Sequence, residues 1–286
     1  MIYLIATILF STAIVISFRL FTHFRIDNLQ AITANYLVAA VMCLLFFKGP
    51  VAFSDLPLRS WFPYAGVIGF TFILVFLVFA LSAQKAGIAV TSVSSKMSVV
   101  IPVSVGIMAY AEPLNVLKLT GIIASLLAFY LTFRKKQEQR IDKRVLILPV
   151  LLFLGNGAND TLTKHAQMFH VGEGETLLFL GTVFVSSMVI GSVILLSKAL
   201  KNKQPMHGRS LLAGIWLGFL NFFSSYFFLL SLGIFESSVF FPVFNVSIVS
   251  LSALSGFFFF RERLTPVNWA GIVLALCAIL LIAMGS

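Results

Sequence analysis

The residues with chemistry to offer in this chain are few, and they lie where charge is expensive. Lys96 stands eight residues into an apolar run, roughly 12 Å along a helix that rises about 1.5 Å per residue. An ammonium at that depth needs a wet cavity, a partner, or a route for its tip back to the interface. Two readings follow: a lysine that snorkels or pairs structurally, or a charge that lines a substrate path and favours a carboxylate. Further along, Asn156, Asn159, Asp160 and Thr163 recur at three- and four-residue steps, which puts them on one helical face. Asn156 is level in depth with Lys96, and Asp160 lies about a turn further toward the outside. A Lys96–Asp160 ion pair is within reach without being required; the alternative is an Asp160 solvated at the outer mouth. Asp160 is also the candidate for proton coupling, because the protonation of a buried carboxyl is set by its surroundings.

These residues sit in a chain of 286 that is 59% hydrophobic, carries 31 phenylalanines and has only 10% charged residues. That composition excludes an ordinary soluble domain. Reading for apolar runs of roughly 17 to 25 residues gives ten spans, at about 2–21, 30–47, 61–81, 88–110, 115–133, 145–163, 175–197, 210–232, 236–260 and 265–285. The runs are continuous rather than alternating, so helices and not barrel strands are required. The first run lacks a basic segment before it and a convincing cleavage site, which predicts a retained helix instead of a signal peptide. Cys43 and Cys277 lie inside apolar runs with no metal or disulfide spacing and read as small hydrophobic filler.

The chain is also written twice. A shift of 150 positions carries 87–134 onto the C-terminal stretch, with Ala111-Glu112-Pro113-Leu114 falling on Arg261-Glu262-Arg263-Leu264 and Gly121-Ile122 on Gly271-Ile272. The predicted architecture is an all-α integral membrane protein with ten transmembrane helices as two inverted five-helix repeats, 1–134 and 145–286, joined by a basic linker at 135–144. Inversion follows from the odd number of spans per half, and two inverted copies can exchange conformations. The register pairs Thr71 with Asn221 and Ser95 with Asn245, and a shift of 145 pairs Ser11 with Asn156. Such equivalents belong near the midplane, where substrate sites of inverted-repeat transporters lie. The hydroxyls can equally serve as helix glue. The asparagines are the stronger candidates, since a buried amide has four hydrogen-bonding sites to satisfy. Tyr226, in an aromatic-rich eighth span, is a further cavity candidate. Pro102 and Pro242 fall inside spans, where they weaken helix hydrogen bonding. Gly121, Ser125 and Ala128, with Gly271, Ala275 and Ala278, make small-residue packing faces. Glu112 and Glu262 read as turn residues favourable to a helix start.

The net charge of +10 is a topology signal. Fifteen of the 20 Lys and Arg fall on one side of the ten spans, and Lys48, Arg59, Lys118 and Lys164 on the other. This bias puts the 134–144 linker in the cytoplasm and both termini outside, and it leaves no case for nucleic acid as a partner.

Ten spans, an inverted duplication and Glu262-Arg263-Leu264-Thr265 followed by Gly271 resemble the drug/metabolite transporter superfamily, in its EamA-like branch. Glu112-Pro113-Leu114-Asn115 followed by Gly121 departs from that pattern at two positions. The resemblance implies cytoplasmic termini, against the charge count, which is followed here. It also implies a secondary transporter, most commonly an exporter of amino acids or related metabolites. The expected function is alternating-access movement of a small polar, carboxylate-bearing metabolite through a central cavity. Lys96, Asn156, Asn221, Asn245, Ser95, Thr71 and Tyr226 are the substrate-site candidates. Efflux of lipophilic cations is the rival within transport, and a channel or membrane scaffold the rival outside it. No histidine pair at metal spacing, nucleophile motif or phosphate loop is present, so no enzyme, metal or cofactor is expected. The expected partners are a small-molecule substrate and the lipid bilayer of a bacterial inner (plasma) membrane, with the chain a monomer or homodimer.

Overall fold

The computed structural model describes residues 1–49, 53–85, 88–133, 143–202, 207–260 and 265–285. Most of the basic linker and the Glu262-Arg263-Leu264 turn lie outside them. Among the described residues the chain is helical throughout, with no strand: α1 (Ile2–His23), α2 (Asn28–Phe46), α3 (Phe62–Lys85), α4 (Ile88–Met97), α5 (Val100–Ala109), α6 (Val116–Phe133), α7 (Ile147–Phe169), α8 (Thr176–Asn202), α9 (Gly208–Leu232), α10 (Ser237–Phe260) and α11 (Pro266–Met284). Six of these, α2, α3, α8, α9, α10 and α11, are long and apolar enough to cross a membrane.

The fourth apolar run, expected as one helix, is two. Pro102 has no N–H for the carbonyl of Ser98, and its ring crowds that position. The amide of Ile101 takes the Ser98 oxygen at 2.9 Å instead, and α4 stops at Met97. The Ser98 hydroxyl donates to the Ser95 carbonyl at 2.7 Å, satisfying one of the groups the break releases. Pro242 lies near the start of α10, which continues through it.

Two compact units emerge, and neither is a sequence half. The first comprises Met1–Ile73 with His165–Gly233, and the second Leu74–Lys164 with Ile234–Ser286. In the first, α2 packs on α8 and α9, and α1 on α9. The glue is partly polar: Thr7 donates to the Ser224 carbonyl at 2.9 Å, Ser11 and Ser224 share a hydroxyl hydrogen bond at 2.7 Å, and the Trp216 indole donates to Ser17 at 3.1 Å. The α9 aromatics mostly pack on neighbours, with Phe223 stacked on Phe10 of α1 and Phe222 on Phe46 of α2.

In the second unit α6 runs against α11, and α10 against both. The α6–α11 contact is reciprocal. A methyl group on Gly121 would meet Ile282 at 2.7 Å, and one on Gly271 would meet the backbone of Thr132 at 2.6 Å; the two contacts map onto each other in the 150-residue register. Ala275, Ala278 and Ile282 face this contact fully buried, whereas Leu276 and Leu280 of the same helix are 56% and 63% exposed. Small side chains inside and large apolar ones outside suit a helix facing lipid, where close backbone approach and not burial of bulk drives association. Thr265 caps α11 in a capping box with Asn268, and Asn268 also donates across to the carbonyls of Leu131 and Thr132.

Candidate functional site

Within the second unit, four of the residues singled out from the sequence form two hydrogen-bonded pairs. The break before Pro102 leaves Lys96 in the last turn of α4, where the carbonyl end of the helix favours a cation. Its Nζ donates to Asn245 Oδ1 of α10 at 3.1 Å. Asn245 is held for this role, because its Nδ2 is committed to the Phe241 carbonyl one turn back at 3.0 Å, which presents the oxygen to the lysine. Beside Lys96, the Ser95 hydroxyl accepts from Asn156 Nδ2 of α7 at 3.1 Å, and that nitrogen also donates to the Leu152 carbonyl at 3.0 Å. Gly157 allows the close approach of α7 to Ile101 of α5. Three stretches of chain, α4, α7 and α10, thus converge on one polar cluster near the middle of α7 and α10.

Asp160 lies a turn along α7 from Asn156, half-buried, and interacts electrostatically with Lys96. The direct ion pair that the sequence left open is not formed: the ammonium is bonded to Asn245. Among the described residues Asp160 makes no hydrogen bond. A cation bonded to a neutral amide, with a carboxylate nearby but apart, can receive an anionic group or exchange partners without first breaking a salt bridge.

The remaining candidates belong to the first unit. Thr71 donates back to the Val67 and Ile68 carbonyls of its own helix, the pattern of helix glue. Asn221 accepts from Ser225 at 3.2 Å, and Tyr226 stacks on Phe222 with the rings 2° from parallel.

Sequence reasoning missed a second cluster. Glu112 does serve a helix start, but that of α10 and not the one that follows it: its carboxylate accepts from the Ser237 and Ser238 amides at 2.7 and 2.8 Å. Lys118, counted only as a charge near a loop, is 1% exposed, pairs with Glu236 at 2.6 Å and donates to the Pro113 carbonyl at 2.7 Å. Lys164 is buried and donates to the Phe235 carbonyl at 2.8 Å. The available signal was that Lys118 falls inside one apolar run and Glu236 opens another.

A helical bundle with apolar outer faces and polar groups kept inside defines a multi-pass integral membrane protein. Residues 146–284 match the EamA-like transporter family, part of the drug/metabolite transporter superfamily. Over nearly its whole length the chain is similar to a protein of Haemophilus influenzae described only as uncharacterized, with 26% identity over 96% of this chain and 95% of that one. It also resembles a solved structure titled only as the crystal structure of a protein, at a TM-score of 0.78 and 11% identity over 99% of this chain and 96% of that one, a likeness of fold alone.

Proposed function

We propose that this protein is a secondary active transporter that moves a small, carboxylate-bearing polar metabolite, with export as its direction. Ten spans in two inverted five-helix repeats would carry it by alternating access, with Lys96 taking the substrate carboxylate and Asn245, Asn156 and Ser95 orienting it. The observation that carries this reading is the Lys96–Asn245 hydrogen bond at 3.1 Å, a charge held deep in the helices by a neutral group. A membrane-buried cation without such a use is costly. In this reading the basic linker lies in the cytoplasm and the termini outside.

The test is a thermal-shift panel on the purified protein with amino acids, organic acids, nucleosides and cationic dyes. Carboxylate-bearing compounds are expected to stabilise it, and Lys96→Ala to abolish the effect. Stabilisation by cations alone would overturn the assignment in favour of lipophilic-cation efflux. Asp160 is the proposed proton-coupling group. Asp160→Asn should flatten the pH dependence of uptake into proteoliposomes, and a variant that kept the full dependence would remove Asp160 from that role.

A further inference from the structure

We propose that Glu112, Lys118, Lys164 and Glu236 form an ionic latch that fastens one end of the second unit and opens during the transport cycle. The proposal rests on the transporter reading. The α5–α6 turn, the end of α7 and the start of α10 all meet at residues 235–238. Glu112 holds the amides of Ser237 and Ser238, Lys118 the carboxylate of Glu236, and Lys164 the carbonyl of Phe235. The turn is shaped for this contact. Ala111 adopts φ 52°, a left-handed conformation unfavourable for a residue with a side chain, and Gly106 leaves the space that the Glu112 carboxylate occupies.

The latch and the polar cluster share two helices. Asn156 and Lys164 are eight residues apart on α7, as are Ser237 and Asn245 on α10, roughly 12 Å in each case. The first turns of α10 cannot leave the α5–α6 turn without breaking the latch, and any such movement is transmitted along α10 to Asn245 and its bond with Lys96. The bonds are also suited to reversal. Lys118 is enclosed, but the Glu236 side chain is 39% exposed, so water can compete for the carboxylate.

In the 150-residue register Lys118 corresponds to Asn268 and Glu236 to Ala86, so the sequence does not repeat this Lys–Glu pair. Asn268 bonds neutral carbonyls of α6, at 3.1 and 2.9 Å.

The experiment is thiol labelling of the purified full chain carrying Cys43→Ala, Cys277→Ala and Thr163→Cys. Thr163 is buried next to Lys164, with its hydroxyl bonded to the Asn159 carbonyl. Adding Glu236→Gln should accelerate labelling about tenfold by raising the population of the locally open form. A control cysteine at Ser125, buried on α6, should stay slow. Labelling unchanged in folded Glu236→Gln and Glu112→Gln proteins would overturn the latch, as would an equal rise at the control position. The assay needs no substrate. An unchanged rate therefore removes the latch even if carboxylates stabilise the protein, and silence in the thermal panel removes the transport assignment of Lys96 without altering the labelling result.

Discussion

Lys118 and Lys96, both in the second unit, are treated differently by their surroundings. Lys118 meets a carboxylate at 2.6 Å and a carbonyl at 2.7 Å and is 1% exposed. Lys96 meets one neutral amide oxygen at 3.1 Å and has Asp160 in its field without a direct pair. The first ammonium is saturated by charge and fastens helix ends to one another. The second is anchored in position with its charge still available. Lys118 stands near the start of an apolar run and Lys96 deep in one, and their partners separate a fastening from a group proposed to bind.

Removing the partner of the saturated lysine should have the largest effect on stability. Glu236→Ala strands the Lys118 ammonium, and a loss of about 3 kcal/mol is expected, the low end for a broken buried pair because Glu236 is half-exposed. Denaturation in mild detergent measures it, and a loss as small as that of an ordinary surface substitution would erase the distinction between the two lysines. Lys96→Ala should instead leave the unliganded protein close to its starting stability. It should lose the roughly 2.7 kcal/mol of stabilisation that a ligand supplies at a hundred times its dissociation constant. Thermal shift with and without carboxylates separates the two terms.

The α6–α11 contact supplies a reference free of charge. Gly271→Ala places a methyl group 2.6 Å from the Thr132 backbone nitrogen, which has no side-chain freedom to yield. A cost of about 1–3 kcal/mol is expected, with ligand response retained. Smallest of all should be Thr120→Val. This exposed hydroxyl bonds only to the carbonyls of Val116 and Leu117 in its own helix, so a change within about 0.5 kcal/mol is expected in the same denaturation assay.

Much of the helical frame was legible because the signal is local. Long apolar runs must satisfy their backbones internally, and the helix bounds fall within a few residues of those runs except where α7 and α8 extend further. The break between α4 and α5 was readable in part, since Pro102 was recognised as a point of weakness. The polar cluster was legible by scarcity: Lys96, Ser95, Asn156 and Asn245 stand out against uncharged surroundings, and they do meet. Lys96 taking Asn245 and leaving Asp160 unpaired was not legible, because that choice depends on how α10 is rotated against α4. The Glu112 cluster stayed hidden because counting charges by side treats Lys118 and Lys164 as a sum and gives no information on their partners.

By itself the sequence determined that this chain enters a membrane as helices and which few polar groups had to be accommodated inside. Those follow from backbone hydrogen bonding and from the cost of polarity in hydrocarbon, both of which act along the chain. Tertiary structure alone decided that the compact units mix the two halves, that Lys118 meets a carboxylate while Lys96 keeps a neutral partner, and that Glu112 caps a helix more than 120 positions away. Those depend on which helix faces meet, and hydrogen-bond and ion-pair partners are fixed only when side chains remote in sequence come within about 3 Å of each other.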